Sequence, residues 1–540
     1  MSKDPGDLVP LSRFRASLTR PRGVRRMDAL LEAPDPEAAV AALSVPDFYF
    51  LVKEVGLADA TDLVALATPQ QLRGCLDVEI WDRDRVQLDA AGPWLQTLVE
   101  VGPEKLAEVW GGLDSELRAL LVARAAIIVD HSLGEELPDE EERPSFSTPD
   151  TFFTVIVTAE REDDIRLLYR LIDDLYRVDQ ELARHTLLSA RSELQSELEE
   201  MSYRWRSGRM ADLGYADFYE ALEVFRPLDP DSVKLDEGTA EPREAGDEAR
   251  AAGLPAPVAE PIAGTFLARA LERVVDAGEA ERLEAAVIHL VNRVLSALRV
   301  KPGEEDAVRA ATAAAAATVS IGLEHLTAGH IDRAPAALAA VSLTRIHRLG
   351  HSIVLRLARM ARLLAPRSLT AGEPSQSVLE ALLRTRPQFP TALDEPPGAD
   401  VRPFRQMADV RRVASHVTDL AARVALADAL GVDLLAMAQA PEPRPELDDH
   451  VRTALARHLA GGALDAAPLE PDELERVRTG ALASGSLSHA DRASALRALV
   501  ELAARSRIAV GGEVMARLVA TWLDEIEAQV GRVIRSSDKT

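Results

Sequence analysis

Apolar residues recur every three or four positions through most of the chain, which is the pattern of amphipathic helices. Between residues 28 and 131 each short apolar segment begins with a proline or an acidic residue, as at Pro36, Pro69 and Pro103. Proline suits the first helical turn because its missing N–H has no partner there, and Thr and Asp accept from the free amides. The pattern predicts short antiparallel helices stacked as a solenoid-like helical repeat.

One segment in the middle of the chain favours a strand. The β-branched and aromatic run at residues 151–157 is the best strand candidate, and the start of a buried helix is the alternative. From Asp163 to Met201 the apolar positions return to the helical period, which predicts a long helix or a helical pair. We therefore expect at most one short sheet, near residues 151–158.

The C-terminal half shows the strongest helical periodicity. It predicts helices at residues 265–299, 304–326, 334–364 and 406–430, with an alanine-rich second helix. A last helix carries one apolar stripe, formed by Val514, Leu518, Trp522, Ile526, Val530 and Val533. The expected fold is mainly α, with several domains.

Acidic and proline-rich stretches divide this pattern into segments. The predicted organisation is a basic flexible arm (1–27), an acidic helical-repeat domain (28–134), a linker (135–150), a middle helical module (151–228), an acidic proline-rich linker (229–262), an alanine-rich helical domain (263–438) and a C-terminal helical region (446–540).

Charge is concentrated in the N-terminal half of the chain. The 540 residues carry a net charge of −26, and residues 27–150 alone carry 8 basic against 26 acidic groups. This balance disfavours general nucleic-acid binding. An acidic half attracts a basic protein partner, and acidity that only keeps the protein soluble is the alternative.

The composition also bears on compartment and cofactors. Cys75 is the single cysteine, which excludes an intramolecular disulfide and any multi-cysteine metal motif. The longest apolar run, residues 310–323, is shorter than the roughly 20 residues of a membrane-spanning helix. No continuous apolar stretch follows the basic N-terminus, so this segment is not a secretory signal. We expect a cytoplasmic protein without a membrane span or a cofactor, whose oligomeric state the sequence leaves open.

An arginine-aromatic cluster is the leading candidate for a small-ligand site. Arginine binds phosphate or carboxylate through two parallel hydrogen bonds, and aromatic faces stack on a base or a guanidinium group. In the alternative, the aromatic residues anchor a helix end and the arginines pair with Glu199, Glu200, Asp212 or Glu220. The candidate anion site consists of Tyr203, Arg204, Trp205, Arg206 and Arg209.

Four histidines form a second candidate site. His347 and His351 lie four residues apart on a predicted helix, which is a spacing that zinc ligands use, and His325 and His330 end the preceding helix. The segment between His347 and His351 lacks the glutamate of a metalloprotease motif. The sequence therefore favours ordinary histidines over a metal site.

No catalytic motif is found in the sequence. It contains no P-loop, no dinucleotide-binding glycine pattern and no nucleophile elbow. No catalytic residue is assigned, and the absence of these motifs favours a protein that is not an enzyme.

The chain resembles two known groups of proteins. Residues 199–214 (EEMSYRWRSGRMADLG), 217–221 and 225–230, together with 76–84 and 402–404, resemble a bacterial family defined only as a domain of unknown function. That resemblance extends over most of the chain and implies no ligand or mechanism. Residues 28–131 are similar in their rhythm of caps and helices to the cytosolic superhelical N-domain of magnesium transporters.

These observations favour a non-catalytic scaffold or adaptor whose stacked helices bind a partner protein. The alternative is an enzyme or a ligand-binding sensor with an anion- or metal-binding pocket between helices.

Overall fold

The computed structural model describes residues 21–82, 84–134, 143–235, 256–441 and 444–537. The chain forms two compact units, Met1–Leu349 (unit 1) and Gly350–Thr540 (unit 2). Most of the predicted arm, the first half of the predicted linker 135–150 and the central part of the predicted linker 229–262 lie outside the described residues. The seven-segment organisation stays a prediction.

Four predicted helix starts near the N-terminus are confirmed. Asp35, Ser44 and Thr68 each accept a hydrogen bond from the amide three residues further on, while Pro69 and Pro103 occupy first turns. The solenoid-like arrangement of these helices stays a prediction. They are α1 (Gly23–Leu31), α2 (Pro36–Ala41), α3 (Val45–Val55), α4 (Thr61–Leu66), α5 (Pro69–Glu79), α6 (Leu88–Val101), α7 (Pro103–Gly112) and α8 (Ser115–Ala125).

The predicted strand is confirmed as the central strand of a small antiparallel sheet. Strand β5 (Phe153–Val157) pairs with β3 (Ala126–Asp130) on one side and β4 (Ser145–Ser147) on the other. The expectation of at most one sheet needs correction. Two further hairpins form, from β1 (Trp81–Asp82) with β2 (Arg85–Val86) and β6 (Phe389–Pro390) with β7 (Val401–Arg402). Two-residue strands are too short to show an alternating pattern.

The helical run after the sheet is three consecutive helices rather than one or two. These are α9 (Glu162–Val178), α10 (Gln180–Ser192) and α11 (Gln195–Asp212), followed by the short α12 (Phe218–Ala221). Leu168, Ile172 and Leu175 of α9 are buried, as their spacing predicts. Helix α9 packs against α6 and α7, and α11 packs against α8.

The rest of unit 1 is also helical. The predicted helix 304–326 is confirmed, whereas the predicted helices 265–299 and 334–364 are each divided in two. Asp276 accepts from the amide of Glu279, and the Ser342 hydroxyl accepts from that of Arg345, so each caps a new helix. The helices are α13 (Ala256–Ile262), α14 (Phe266–Leu271), α15 (Ala277–Leu298), α16 (Glu305–Leu326) and α17 (Ala334–Ala340); α18 (Leu343–Leu364) contains the boundary between the units.

Unit 2 has its own hydrophobic core. Leu518, Trp522, Ile526 and Val530 of the last helix are buried in it, as the predicted stripe requires, while Val533 lies outside the described side chains. The predicted helix 406–430 is confirmed as α20. The helices of this unit are α19 (Ser375–Leu383), α20 (Met407–Ala429), α21 (Leu434–Gln439), α22 (Leu447–Leu459), α23 (Pro471–Arg476), α24 (His489–Arg505) and α25 (Gly512–Ser537).

Short 3-10 helices connect several elements, at His131–Leu133, Leu222–Phe225, Pro230–Ser232, Ile331–Arg333, Ala365–Arg367 and Thr391–Leu393, and a π-helical turn spans Val477–Ala481. A membrane-crossing helix, long and apolar throughout, is not found in the described parts of the chain.

Candidate functional site

The arginine-aromatic cluster lies on α11, and Arg209 is its most deeply engaged member. Its guanidinium donates two hydrogen bonds to the Asp77 carboxylate, of 2.6 and 2.9 Å, and two to Asp114, of 2.7 and 3.1 Å. Asp77 lies in the last turn of α5 and Asp114 is the N-cap residue of α8, so the Arg209 side chain connects three helices. Although burial opposes it, hydrogen bonding to both carboxylates raises the pKa of Arg209. Burial raises the pKa of Asp77, although Arg209 opposes this.

Arg206 is directed to the same end of α5. Its Nε donates to the backbone carbonyl of Asp77 at 2.6 Å, and its guanidinium lies 5.3 Å from the centre of the Trp81 ring. Tyr203 packs against Trp81, with the centres of the two rings 5.9 Å apart. Burial lowers the pKa of Arg206. These contacts fix α11 on the segment that contains α5 and the β1–β2 hairpin.

The structure divides the predicted anion site into two parts. Tyr203, Arg206 and Arg209 contact other helices, whereas Arg204 and Trp205 are exposed, Trp205 by 50% of its surface. Arg209 pairs with Asp77 and Asp114 rather than with the nearby carboxylates that the sequence suggested, because α11 packs across two earlier helices. Anion binding by this cluster stays a prediction.

The four candidate histidines occupy different environments. His325 is half-buried at the end of α16, and His330 is exposed in the following turn. The Nδ1 atom of buried His347 lies 3.1 Å from the carbonyl oxygen of Val224. His351 belongs to unit 2. Within the described residues, no three His, Cys, Asp or Glu side chains lie close enough together to hold a metal ion.

His351 is expected to make unit 2 sensitive to acid. Burial, together with the charge of Arg386, lowers the pKa of His351 to about 4. The unfolded chain, with an ordinary histidine pKa of about 6.5, therefore takes up a proton before the folded chain does. The free energy of unfolding of unit 2 is therefore highest above about pH 6.5 and falls as the pH drops from about 6.5 towards 4. Amide exchange of unit 2 at pH 7 and pH 5 measures this loss, which we expect to be smaller in His351→Gln; an equal loss contradicts it.

A cavity of about 360 Å³ lies between α6, α8 and α9 in unit 1. Its volume is within the range of small-molecule sites in proteins. Trp110 of α7, which is 1% exposed, forms part of the wall and donates through Nε1 to the Thr186 hydroxyl at 3.3 Å. The apolar wall consists of Leu88, Ala91, Leu95, Trp110, Leu121, Val122, Ala125, Leu167, Leu168 and Leu171.

The lining of this cavity also includes a glycine and several polar residues, whose exposed members form its mouth. Gly92 lies within α6, and a β-carbon placed there would meet no atom within 4 Å. The next residue, Pro93, is also inside the helix and has no N–H to donate to the carbonyl of Asp89. The polar lining residues are Asp89, Arg124, Thr158, Glu160, Arg161 and Asp164.

Arg124 is the one arginine of the mouth with short bonds to other segments. It donates to the Val86 carbonyl at 2.7 Å and to Glu199 at 2.6 Å. Glu199 also accepts from the amide of Val86 at 2.9 Å. The cavity wall is thereby connected to the β1–β2 hairpin and to α11. Arg161 is exposed and lies 3.9 Å from Asp164.

No pattern in the sequence reveals this cavity. Its walls come from residues 88 to 171, and no local pattern shows that these helices leave space between them. A glycine followed by a proline inside the apolar pattern of α6 is the one local signal that was overlooked, because both residues are unfavourable in a helix interior. The cavity is the strongest candidate functional site.

Comparisons with known proteins give a family and no function. A family model described as a family of unknown function (DUF6178) matches residues 3–534, which confirms the predicted resemblance to an uncharacterised family. No curated protein and no solved structure matches the chain. The similarity to the N-domain of magnesium transporters stays a prediction.

Proposed function

We propose that this chain, which belongs to that family of unknown function, binds a small molecule with an apolar body in the cavity between α6, α8 and α9. The observation that supports this is a preformed cavity of about 360 Å³ with an apolar wall and a polar mouth. A small number of polar groups around an apolar wall is the usual composition of ligand sites.

The identity of residue 92, a glycine, also supports the proposal. Glycine in a helix interior costs about 1 kcal/mol relative to alanine. No neighbouring atom requires it, because the space around its missing side chain is open. A larger residue would instead occupy the mouth of the cavity. A role in admitting a ligand would explain why a glycine stands at this position in the helix.

The proposal predicts that Gly92→Phe abolishes binding of a neutral apolar dye. N-phenyl-1-naphthylamine becomes fluorescent in apolar surroundings, and we expect the full-length protein to bind one molecule saturably. In Gly92→Phe the phenyl ring takes up space at the mouth, so the affinity is expected to fall at least tenfold. Gly92→Ala, which adds a single methyl group, is expected to retain binding.

Gly208→Phe is the matched control for this experiment. Gly208 is also a helical glycine with open space around it, and it lies on α11 outside the cavity. Both substitutions replace glycine by a better helix former, so neither is expected to unfold the chain. Equal dye binding by wild type and Gly92→Phe, or a loss in Gly208→Phe of the same size, contradicts the proposal.

A scaffold or adaptor function is a second proposal. The exposed pair Arg204 and Trp205 favours it, because arginine and tryptophan dominate the binding energy of many protein interfaces. The acidic N-terminal half supports a basic partner. Affinity purification at low salt should then recover an equimolar basic protein with wild type and much less with Trp205→Ala; equal recovery contradicts this second proposal.

A further inference from the structure

We infer that the ligand of the cavity is an amphipathic cation, with an alkyl or similar apolar body inside and an ammonium-type head group at the mouth beside Asp89 and Glu160. The inference rests on the proposed function, since it specifies the ligand of the same cavity. It follows from which charged groups of the mouth already have partners and which do not.

Among the side chains that line the cavity itself, the carboxylates outnumber the arginines that lack a short ion pair. Asp89, Glu160 and Asp164 line the cavity together with Arg124 and Arg161. The charge of Arg124 is balanced by Glu199 at 2.6 Å. Arg161 is then left against three carboxylates, of which it approaches Asp164 at 3.9 Å. In the described parts of the chain, Asp89 and Glu160 have no ion pair within 4.0 Å.

Backbone groups at the mouth add acceptors. Pro93 cannot donate to the carbonyl of Asp89, so that oxygen lacks the usual helical donor four residues ahead. The first turn of α9 also borders the mouth and would by itself favour an anion. That turn contains Glu162, Asp163 and Asp164, which supply negative charge of their own. The arrangement favours a ligand that donates hydrogen bonds and carries positive charge.

The charge of the surrounding chain acts in the same direction. Residues 27–150, which include α6 and α8, carry 8 basic and 26 acidic groups. A field of this sign raises the local concentration of cations and speeds their association at low ionic strength. It has the opposite effect on a fatty acid or another amphipathic anion.

The size of the cavity sets the size of the apolar body. A volume of about 360 Å³ lies near the small end of the range of ligand sites in proteins, about 300–1,000 Å³. An eight-carbon chain fits within it. Leu95, Trp110 and Leu168 provide the apolar contacts.

Competition between three eight-carbon compounds tests the inference. Octylammonium, octanol and octanoate share the same chain and differ in head-group charge. Each is titrated against N-phenyl-1-naphthylamine bound to the full-length protein. We expect octylammonium to displace the dye at a concentration at least tenfold lower than octanoate, with octanol between them. The preference should decrease as salt is added, because salt screens exposed charges.

Substitutions at the mouth test which side chains cause the preference for octylammonium. Asp89→Asn combined with Glu160→Gln should reduce the preference for octylammonium over octanoate at least threefold, with both competitors titrated against dye bound to the same variant. Glu32→Gln removes an exposed carboxylate of the same acidic half that does not line the cavity, and it should leave the preference as in wild type.

The outcomes separate the ligand class from the proposed function. If octanoate competes as well as octylammonium, or if the double variant keeps the full preference, the inferred cation is wrong while the cavity still binds ligands. If Gly92→Phe also binds the dye as wild type does, the proposed function fails together with the inference.

Discussion

Arg209→Ala is expected to lower the free energy of unfolding of unit 1 by about 3–5 kcal/mol. The Arg209 side chain is the charged partner of Asp77, whose side chain is only 1% exposed. Removing one partner of a buried ion pair leaves the other charge without solvent or counter-ion, which is far more costly than losing a surface pair. Asp114 is affected less, because its freed carboxylate is the N-cap of α8 and can accept from amides of that helix.

The loss in Arg209→Ala should depend on pH. Without Arg209, the charge of Arg206 is the main remaining opposition to burial, so the pKa of Asp77 rises further in the folded state. A carboxyl group whose pKa is raised by folding binds a proton more readily in the folded chain, so stability increases as the pH falls. The destabilisation should therefore be larger at about pH 8 than at about pH 5.

Amide exchange in α5, α8 and α11 measures this effect without assuming that the two units unfold together. Arg204→Ala is the matched control, because Arg204 lies on the same helix and is exposed. The free energy of unfolding of Arg204→Ala should stay within about 0.5 kcal/mol of the wild-type value. A loss in Arg209→Ala no larger than in Arg204→Ala would show that the contact with Asp77 and Asp114 does not hold the three helices.

Trp110→Ala is expected to destabilise unit 1 by a similar amount, about 3–5 kcal/mol. Trp110 is 1% exposed and forms part of the cavity wall, so its removal merges the cavity with the space of the lost ring. Most of the loss comes from packing. The hydroxyl of Thr186, which accepts from the indole, keeps its own hydrogen bond to the Leu182 carbonyl at 2.9 Å.

Trp205→Ala is the control for Trp110→Ala, since the same ring is removed from an exposed position. We expect its unfolding free energy to stay close to that of wild type. Amide exchange of α7 and α10 reports the local change. Comparable losses in the two variants would contradict the packing assigned to Trp110.

The sequence predicts those features of the fold that depend on neighbouring residues. Thr68 and Pro69 predict a helix start because the N-cap and the first turn are adjacent in the sequence. Leu518, Trp522 and Ile526 identify the buried face of the last helix because one helical period places them together. The breaks before α15 and α18 were missed, although Asp276 and Ser342 are ordinary capping residues within a continuing apolar pattern.

The candidate site depends on contacts between distant parts of the chain. Asp77 and Arg209 are 132 residues apart, so no spacing rule pairs them. The aromatic and basic residues near Arg209 were recognised as unusual, but their main contacts lie within the protein. The cavity is harder to predict, because it is a space that three helices leave between them and not a residue pattern.

A crystal structure of the full-length protein with octylammonium would show directly whether the cavity holds this ligand. We expect density for one alkyl chain among Leu95, Trp110 and Leu168, with the nitrogen beside Asp89 or Glu160. A cavity closed by side chains, or octylammonium bound only elsewhere on the protein, would contradict this expectation.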